Sequence, residues 1–435
     1  MKNIIASVTL LLLTHFSFAQ ANRHRCSTHE LMMQKEQQHP GYLAAVDAAF
    51  NQAKQLAELN KSSRAAGDTV YRIQVVFHVL YTTPEENIPD SVIYSQIDVL
   101  NRDYRRRNSD TVQTRDVFKP VAGDAGIEFY LATADPDGNP TNGITRDTGN
   151  PAIAFLGFNP QTDDIKSKAT GGADPWPTDR YLNIWVGNVF FGVVLGYAFP
   201  PDNAPNWSPG DGTDSAHQGV VLHYAAVGAN FSAPIDATVA GGRSAVHEIG
   251  HYLGLRHIWG DAADCIADDG ISDTPFSGDA SQQTCDTTIN SCVDSPVDFP
   301  DMIENYMDYS DDRCLNMFTN EQIGIMRAML QTSRAGIATA VVESGIRNLT
   351  DNFELVQLYP NPTNGIFNLI TRVKNTGRYS YEVYNSIGDK LLGESNIAAS
   401  LTHQVVDMSA QPSGIYFVKL SSGEQVVVKK LQVLK

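Results

Sequence analysis

The sequence predicts an α/β (α+β) region in which a site-bearing helix packs beneath a sheet, followed by a small all-β sandwich. Three observations carry that reading. Tyr71–Tyr81 (YRIQVVFHVLY) has the β-branched and aromatic content of a buried strand, and strand-like runs recur at Ile127–Ala132, Tyr181–Val186 and Gly219–Tyr224. Helical spacing alternates with them: Ser91–Asn108 puts Val92, Ile93, Ile97, Val99, Leu100 and Tyr104 on one apolar face. Thr238–Leu255 holds another helix, its start blurred by Gly241-Gly242. After Gln357 the chain is all short strands and turns (IFNLITRV, YSYEVYN, GDKLLGE, GIYFVKL, QVVVKKLQVLK), with turn residues roughly every 8–12 positions.

At 435 residues the chain exceeds one ordinary domain. Residues 1–19 read as an export signal, with Lys2, the apolar run Ile4 to Leu13, and small residues flanking Phe18 before a cut. That run is too short and too early to span a membrane, and no later segment reaches the ~20 apolar residues a spanning helix needs. Residues 20–66 are polar and helix-prone over His29–Leu59, and end in the basic stretch Lys61-Ser62-Ser63-Arg64, which a protease could cut. They read as a pro-segment, although a plain N-terminal helical extension would share this composition. Residues 67–340 form the expected catalytic region, closing with a helix over Asn320–Ser333. Residues 341–357 are an expected linker, and 358–435 the sandwich.

Composition narrows the class. Forty-nine acidic against 32 basic side chains give a formal net charge of −17, which argues against a nucleic-acid surface. It suits a soluble exported protein with no transmembrane segment. Most of these charges fit a solvated surface, and some could serve calcium. Of five cysteines, Cys265, Cys285, Cys292 and Cys314 cluster, which in an exported chain predicts two disulfides with three possible pairings. Cys26 is left over.

The chemistry concentrates in HEIGHYLGLRH. On a helix, residues four apart share a face, so His247 and His251 can offer two imidazoles to one zinc ion, with Glu248 beside them to hold a water. Gly254 allows a sharp turn at the helix end, because glycine tolerates positive φ, and the turn returns His257 as the third ligand. Three imidazoles leave a fourth position open, as catalytic zinc requires. Zinc lowers the pKa of its water towards ~7. Glu248 is then the expected general base in peptide-bond hydrolysis.

Downstream, Glu304-Asn305-Tyr306-Met307-Asp308-Tyr309 supplies a second signal. Together with the zinc helix it resembles the metzincin clan, in which a methionine turn floors the metal site. The resemblance implies that Met307 is that methionine, and that Tyr309 is the tyrosine that stabilises the transition-state oxyanion in some members. VVFHVLY, YLNIWVG, LGYAFPP, GVVLHY, AVHEIGHYLGLRHIWG, ISDTP and NYMDYSDDRC are similar, in particular, to the pappalysin (cytophagalysin) family. That likeness implies a metzincin catalytic domain with a twisted sheet above the cleft and a smaller subdomain bearing the methionine turn.

It also implies the pairs Cys265–Cys292 and Cys285–Cys314. DDGISDTP resembles the family's structural calcium loop, with Asp269 and Thr274 as the positions carried over and Asp268 and Asp273 as neighbours. Oxygen ligands on a turn suit calcium, and acidic turn residues also occur without metal. Cys26 in Arg25-Cys26-Ser27 resembles the latency cysteine, whose thiolate takes the open zinc position in a zymogen. Ser27 stands where related pro-segments usually carry glycine.

The tail, through LYPNPTNG, Gly414-Ile415-Tyr416 and the terminal KKLQVLK, resembles the C-terminal sorting domain of the type IX secretion system. A generic carbohydrate- or protein-binding sandwich is the alternative. These readings together predict a secreted or surface zinc endopeptidase of proteins or peptides, made as a zymogen. The competing class is a surface-attached metzincin-like binding protein, non-catalytic or narrowly specific, in which an intact Glu248 would have no purpose. In metzincins the segment after the methionine turn walls the pocket for the residue following the scissile bond. An inward Asp311 or Asp312 would select Lys or Arg there, and an inward Arg313 would not.

Overall fold

The computed structural model describes residues 25–61, 69–151, 164–189, 194–202, 218–229, 237–342, 353–373, 378–398, 402–423 and 425–435. The expected signal at 1–19 and the cut region after Lys61 lie outside them. Two helices, α1 (Thr28–Gln38) and α2 (Tyr42–Lys61), come first, then β1 (Thr69–Tyr81), α3 (Asp90–Asp103), β2 (Ile127–Leu131), β3 (Ile144–Thr148), β4 (Leu182–Gly187), β5 (Gly196–Ala198) and β6 (Val220–His223). Helix α4 (Arg243–Tyr252), helix α5 (Asn320–Met329) and β7 (Ala338–Val342) complete the part before the expected sandwich.

The seven strands form one mixed sheet in the order β2-β1-β4-β6-β5. β1 is long enough to serve two partners along each side. Its first half pairs with β2 and its second half with β3, both parallel, while β4 and antiparallel β7 share its other edge. Only β5 among the strands after β1 and before β7 runs antiparallel to its neighbour, and it ends the sheet. Ile73, Val75, Phe77 and Val79 all point from β1 into the main core, as a period of two demands. That core also takes in Val246 and Ile249 of α4, so the site helix is fixed by apolar burial against the sheet.

Several bounds differ from the sequence expectation, for local reasons. The helix-prone stretch before residue 60 breaks into α1 and α2 at Pro40-Gly41, where Gly41 has φ +100. α4 starts at Arg243, five residues later than the earliest expected start, because Gly242 is left-handed at φ 75. α3 stops at Asp103 ahead of Arg106, whose φ is +46. β7 and β8 (Phe353–Tyr359) both reach into the segment expected as a linker, whose residues 343–352 lie outside the described ones.

The remaining strands are β9 (Ile366–Val373), β10 (Arg378–Tyr384), β11 (Lys390–Ala398), β12 (Thr402–Asp407), β13 (Gly414–Ser422) and β14 (Gln425–Val433). They form two antiparallel sheets, β11-β10-β13-β14 and β12-β9-β8. Phe367 and Leu369 of one sheet pack against Val383, Val418 and Leu431 of the other, giving the sandwich its own core. Among the described residues no helix is long and apolar enough to cross a membrane.

Candidate active site

Helix α4 carries His247, Glu248 and His251, all buried, and Gly254 at φ +90 turns the chain so that His257 comes back to them. The three Nε2 atoms lie 3.0–3.1 Å from one another. Each Nδ1 has its own acceptor: the Tyr306 carbonyl at 2.7 Å, the Leu255 carbonyl at 2.9 Å, and the Asp261 carboxylate. With its proton held on Nδ1, each imidazole turns a lone pair towards the same point, an arrangement that repels itself unless a cation sits there. Burial, reinforced by the neighbouring rings, lowers the pKa of His251 to about 3 and pushes that of His247 well down, so both stay neutral and able to bind metal.

Cys26 completes the cluster. Its Sγ and the three histidine nitrogens lie within 4.8 Å of one another, and all four residues are buried. This is a donor set that fits zinc, three imidazoles and a thiolate. Sγ is also 3.3 Å from Glu248 Oε2, and burial together with that carboxylate pushes the thiol's pKa up. A cation among the imidazoles would reverse that preference, since metal binding displaces the thiol proton. Ser27 sits at φ −117, ψ 16, a backbone open to any residue, so glycine is not needed there.

Close packing fixes the floor and roof. Gly250 lies on Met307, where a Cβ would come 2.5 Å from the thioether sulfur. The turn at Met307 is tied to α5 by Asn305 and Gln322, which exchange hydrogen bonds at 2.9 and 3.1 Å, while Asn305 Oδ1 also accepts from Met307 N–H at 2.9 Å. Thr319 and Gln322 form the capping box that starts α5. On the other side a Cβ at Gly196 would meet Glu248 Cγ at 2.9 Å, so β5 approaches Glu248 closely only because residue 196 is glycine. Burial raises the Glu248 carboxyl to about 8. Tyr309 O–H donates to the Cys26 carbonyl at 3.1 Å, and the Tyr309 ring lies beside His247 and His257.

Three residues emerge that the sequence did not single out for these roles. Arg25, only 1% exposed, donates from Nη1 to the Ser310 carbonyl and from Nη2 to Asp312. Asp312 is held at the start of α4, its Oδ2 accepting from Gly241 N–H at 2.8 Å and Arg243 N–H at 3.2 Å. Arg313 points away, 75% exposed, paired with Asp311. Thr28 Oγ1 accepts from Ala198 N–H at 3.0 Å and lies 3.4 Å from Glu248 Oε2. Asp261 orients His257, and no helical spacing could have flagged it because it sits in a loop at φ +60.

Asp269 and Thr274 meet, Thr274 O–H donating to Asp269 Oδ1 at 2.9 Å, while Asp269 Oδ2 is buried without a hydrogen-bond partner among the described residues. Cys265 pairs with Cys292 and Cys285 with Cys314, with Cα–Cα distances of 5.6 and 5.7 Å. Among the described residues no second group of three His, Cys, Asp or Glu side chains gathers as a metal site.

Residues 166–331 match the family profile described as pregnancy-associated plasma protein-A, and 357–434 match the secretion system C-terminal sorting domain. An extracellular metalloprotease of Arthroderma otae is 28% identical over 265 residues, 61% of this chain and 79% of that protein. Among solved structures, mature mirolysin of Tannerella forsythia in complex with a cleaved peptide is 39% identical with a TM-score of 0.52, covering 62% of this chain and 94% of that one. A promirolysin mutant from the same organism is 36% identical with a TM-score of 0.58, covering 72% and 95%.

Proposed function

The chain belongs to the pappalysin family of metzincin zinc metalloendopeptidases, and from that premise we propose that it is a latent protease whose own Arg25-Cys26 segment fills the catalytic cleft. It is secreted or carried to the cell surface, and its tail is read by the type IX machinery. The observation that carries the latent form is the gathering of Cys26 with His247, His251 and His257. The likeness to promirolysin extends over more of this chain than the likeness to the mature form, 72% against 62%, which supports the same reading.

His247, His251 and His257 would hold the zinc. When bound, it acidifies a water towards ~7 and polarises the scissile carbonyl. Glu248 takes the proton of the attacking water and returns it to the leaving amine. Tyr309, which donates to a peptide carbonyl of the pro-segment in the latent form, donates to the scissile carbonyl as charge grows on it. Met307 supports the helix from below.

Arg25 also supports a substrate preference. A guanidinium buried on Asp312, its pKa lowered by burial only to about 10, remains a cation in the pocket behind the methionine turn. Lys or Arg is therefore the residue expected after the cut. Calcium at the Asp269 loop belongs to the same proposal, supported by the unpartnered Asp269 Oδ2.

Chelator-sensitive cleavage of a denatured protein tests the activity. Glu248→Gln should lower turnover by about 10²–10⁴-fold with zinc retained. His257→Ala should lose most of the zinc, and full stoichiometry in that variant would sink the ligand assignment. A chain with zinc but no cleavage after pro-segment removal would favour the binding-protein alternative.

A further inference from the structure

Asp261 divides its carboxylate between two histidines. One oxygen accepts from Nδ1 of His257, and the other lies 3.3 Å from Nδ1 of His29 on α1. We propose that Asp261 is a specificity residue of the mature protease, selecting a cationic side chain at the second or third substrate residue before the cut. The inference rests on the reading above that Arg25–Thr28 occupy the cleft in place of a substrate.

The threading of the pro-segment gives the side. Arg25 lies in the Asp312 pocket, which receives the residue after the scissile bond, and Cys26 lies at the histidines. Ser27 and Thr28 continue along β5 in the strand's own direction. Ser27 N–H donates to Gly196 O at 3.1 Å, and Ala198 N–H donates to Thr28 Oγ1 at 3.0 Å. Residues after Cys26 therefore cover the ground that a substrate crosses before its scissile bond, with the chain reversed. His29 is the next residue along that path.

The surroundings fit a substrate contact. His29 is 38% exposed and Asp261 21%, so the pair lies at the rim of the cleft, outside the closed centre. When the pro-segment leaves, His257 keeps its oxygen and the second oxygen loses its donor. A carboxylate only accepts hydrogen bonds, and charge-assisted donors bind it best, so Lys or Arg is the matching side chain. Arg256 is the competitor within the chain, because its own partner Asp47 lies on α2 and leaves with the pro-segment.

The test uses the self-processed, zinc-loaded enzyme and peptide pairs that share one cut site but carry Lys or norleucine at each position before it. Lys at the second or third position should raise kcat/KM by about two- to fivefold at low salt, shrinking towards unity as salt rises. Asp261→Asn should abolish that ratio and leave the preference after the cut, which Asp312 sets. A ratio of one at every position before the cut would overturn the proposal, as it would if Arg256 closes onto Asp261. So would an unchanged ratio in Asp261→Asn. If that variant does not fold, the salt dependence of the parent decides. Absence of any chelator-sensitive cleavage would overturn the peptidase reading beneath it instead.

Discussion

Arg25 and Asp312, 287 positions apart in the chain, form an ion pair in which neither side chain is more than 2% exposed. A buried pair of this kind is costly to desolvate, and removing one partner leaves an uncompensated charge. Asp312 is held independently by two backbone N–H groups at the start of α4, so its charge remains after Arg25 leaves. On the proposed activation, Asp312 would then be open to the cationic side chain of a substrate.

Asp312→Asn should accordingly weaken selection of Lys or Arg after the cut. An amide oxygen can still accept from Gly241 N–H, so the helix start survives while the charge is lost. The expected loss in kcat/KM for an Arg peptide relative to a Leu peptide is about 10–100-fold, the scale of a lost charge-assisted hydrogen bond in a buried site. Equal loss on both peptides would assign Asp312 to folding alone.

Latency gives a second test. Cys26→Ala in the full-length protein removes the thiol and keeps Arg25 and Thr28 in place. Activity should appear earlier, and self-cleavage near Arg64 should be faster. A time course of chain length on a gel reads this directly, and identical courses for variant and parent would show that Cys26 is not the switch.

A third concerns the floor. Gly250→Ala gains up to ~1 kcal/mol in helix propensity. It also drives a Cβ to 2.5 Å from the Met307 sulfur, and overpacking of that order costs about 1–3 kcal/mol. The 2.5 Å approach is to a sulfur held in the core, so the clash should win, giving net destabilisation of up to about 2 kcal/mol in thermal melts of a Glu248→Gln background. Combining it with Met307→Ala should cost less than the sum of the two single changes, because the clash is then gone. Strict additivity would mean that Gly250 and Met307 do not press on each other.

The helix that gathers His247, Glu248 and His251 was legible because its pattern is local: the three are set by helical period, and Gly254 announces the turn. The large strands were legible from β-branched runs such as VVFHVLY. What escaped has no local signal. β5 is three residues, Gly-Tyr-Ala, too short to show alternation, yet it forms the rim against Glu248. β3 carries Thr, Arg and Asp and joins the sheet only because the long β1 has edge to spare. Arg25 was visible only as a neighbour of Cys26, since its partner comes from the far end of the catalytic region. Asp261 needed the loop geometry after His257.

In the proposed latent chain, Cys26 and three histidines share one zinc ion. X-ray absorption at the zinc edge measures it most directly, on full-length Glu248→Gln protein so that self-cleavage does not intervene. One sulfur scatterer at about 2.3 Å with three nitrogens at about 2.0–2.1 Å is expected. The sulfur should be lost in the Cys26→Ala variant. A shell of nitrogen and oxygen alone in the Cys26-containing chain would contradict it.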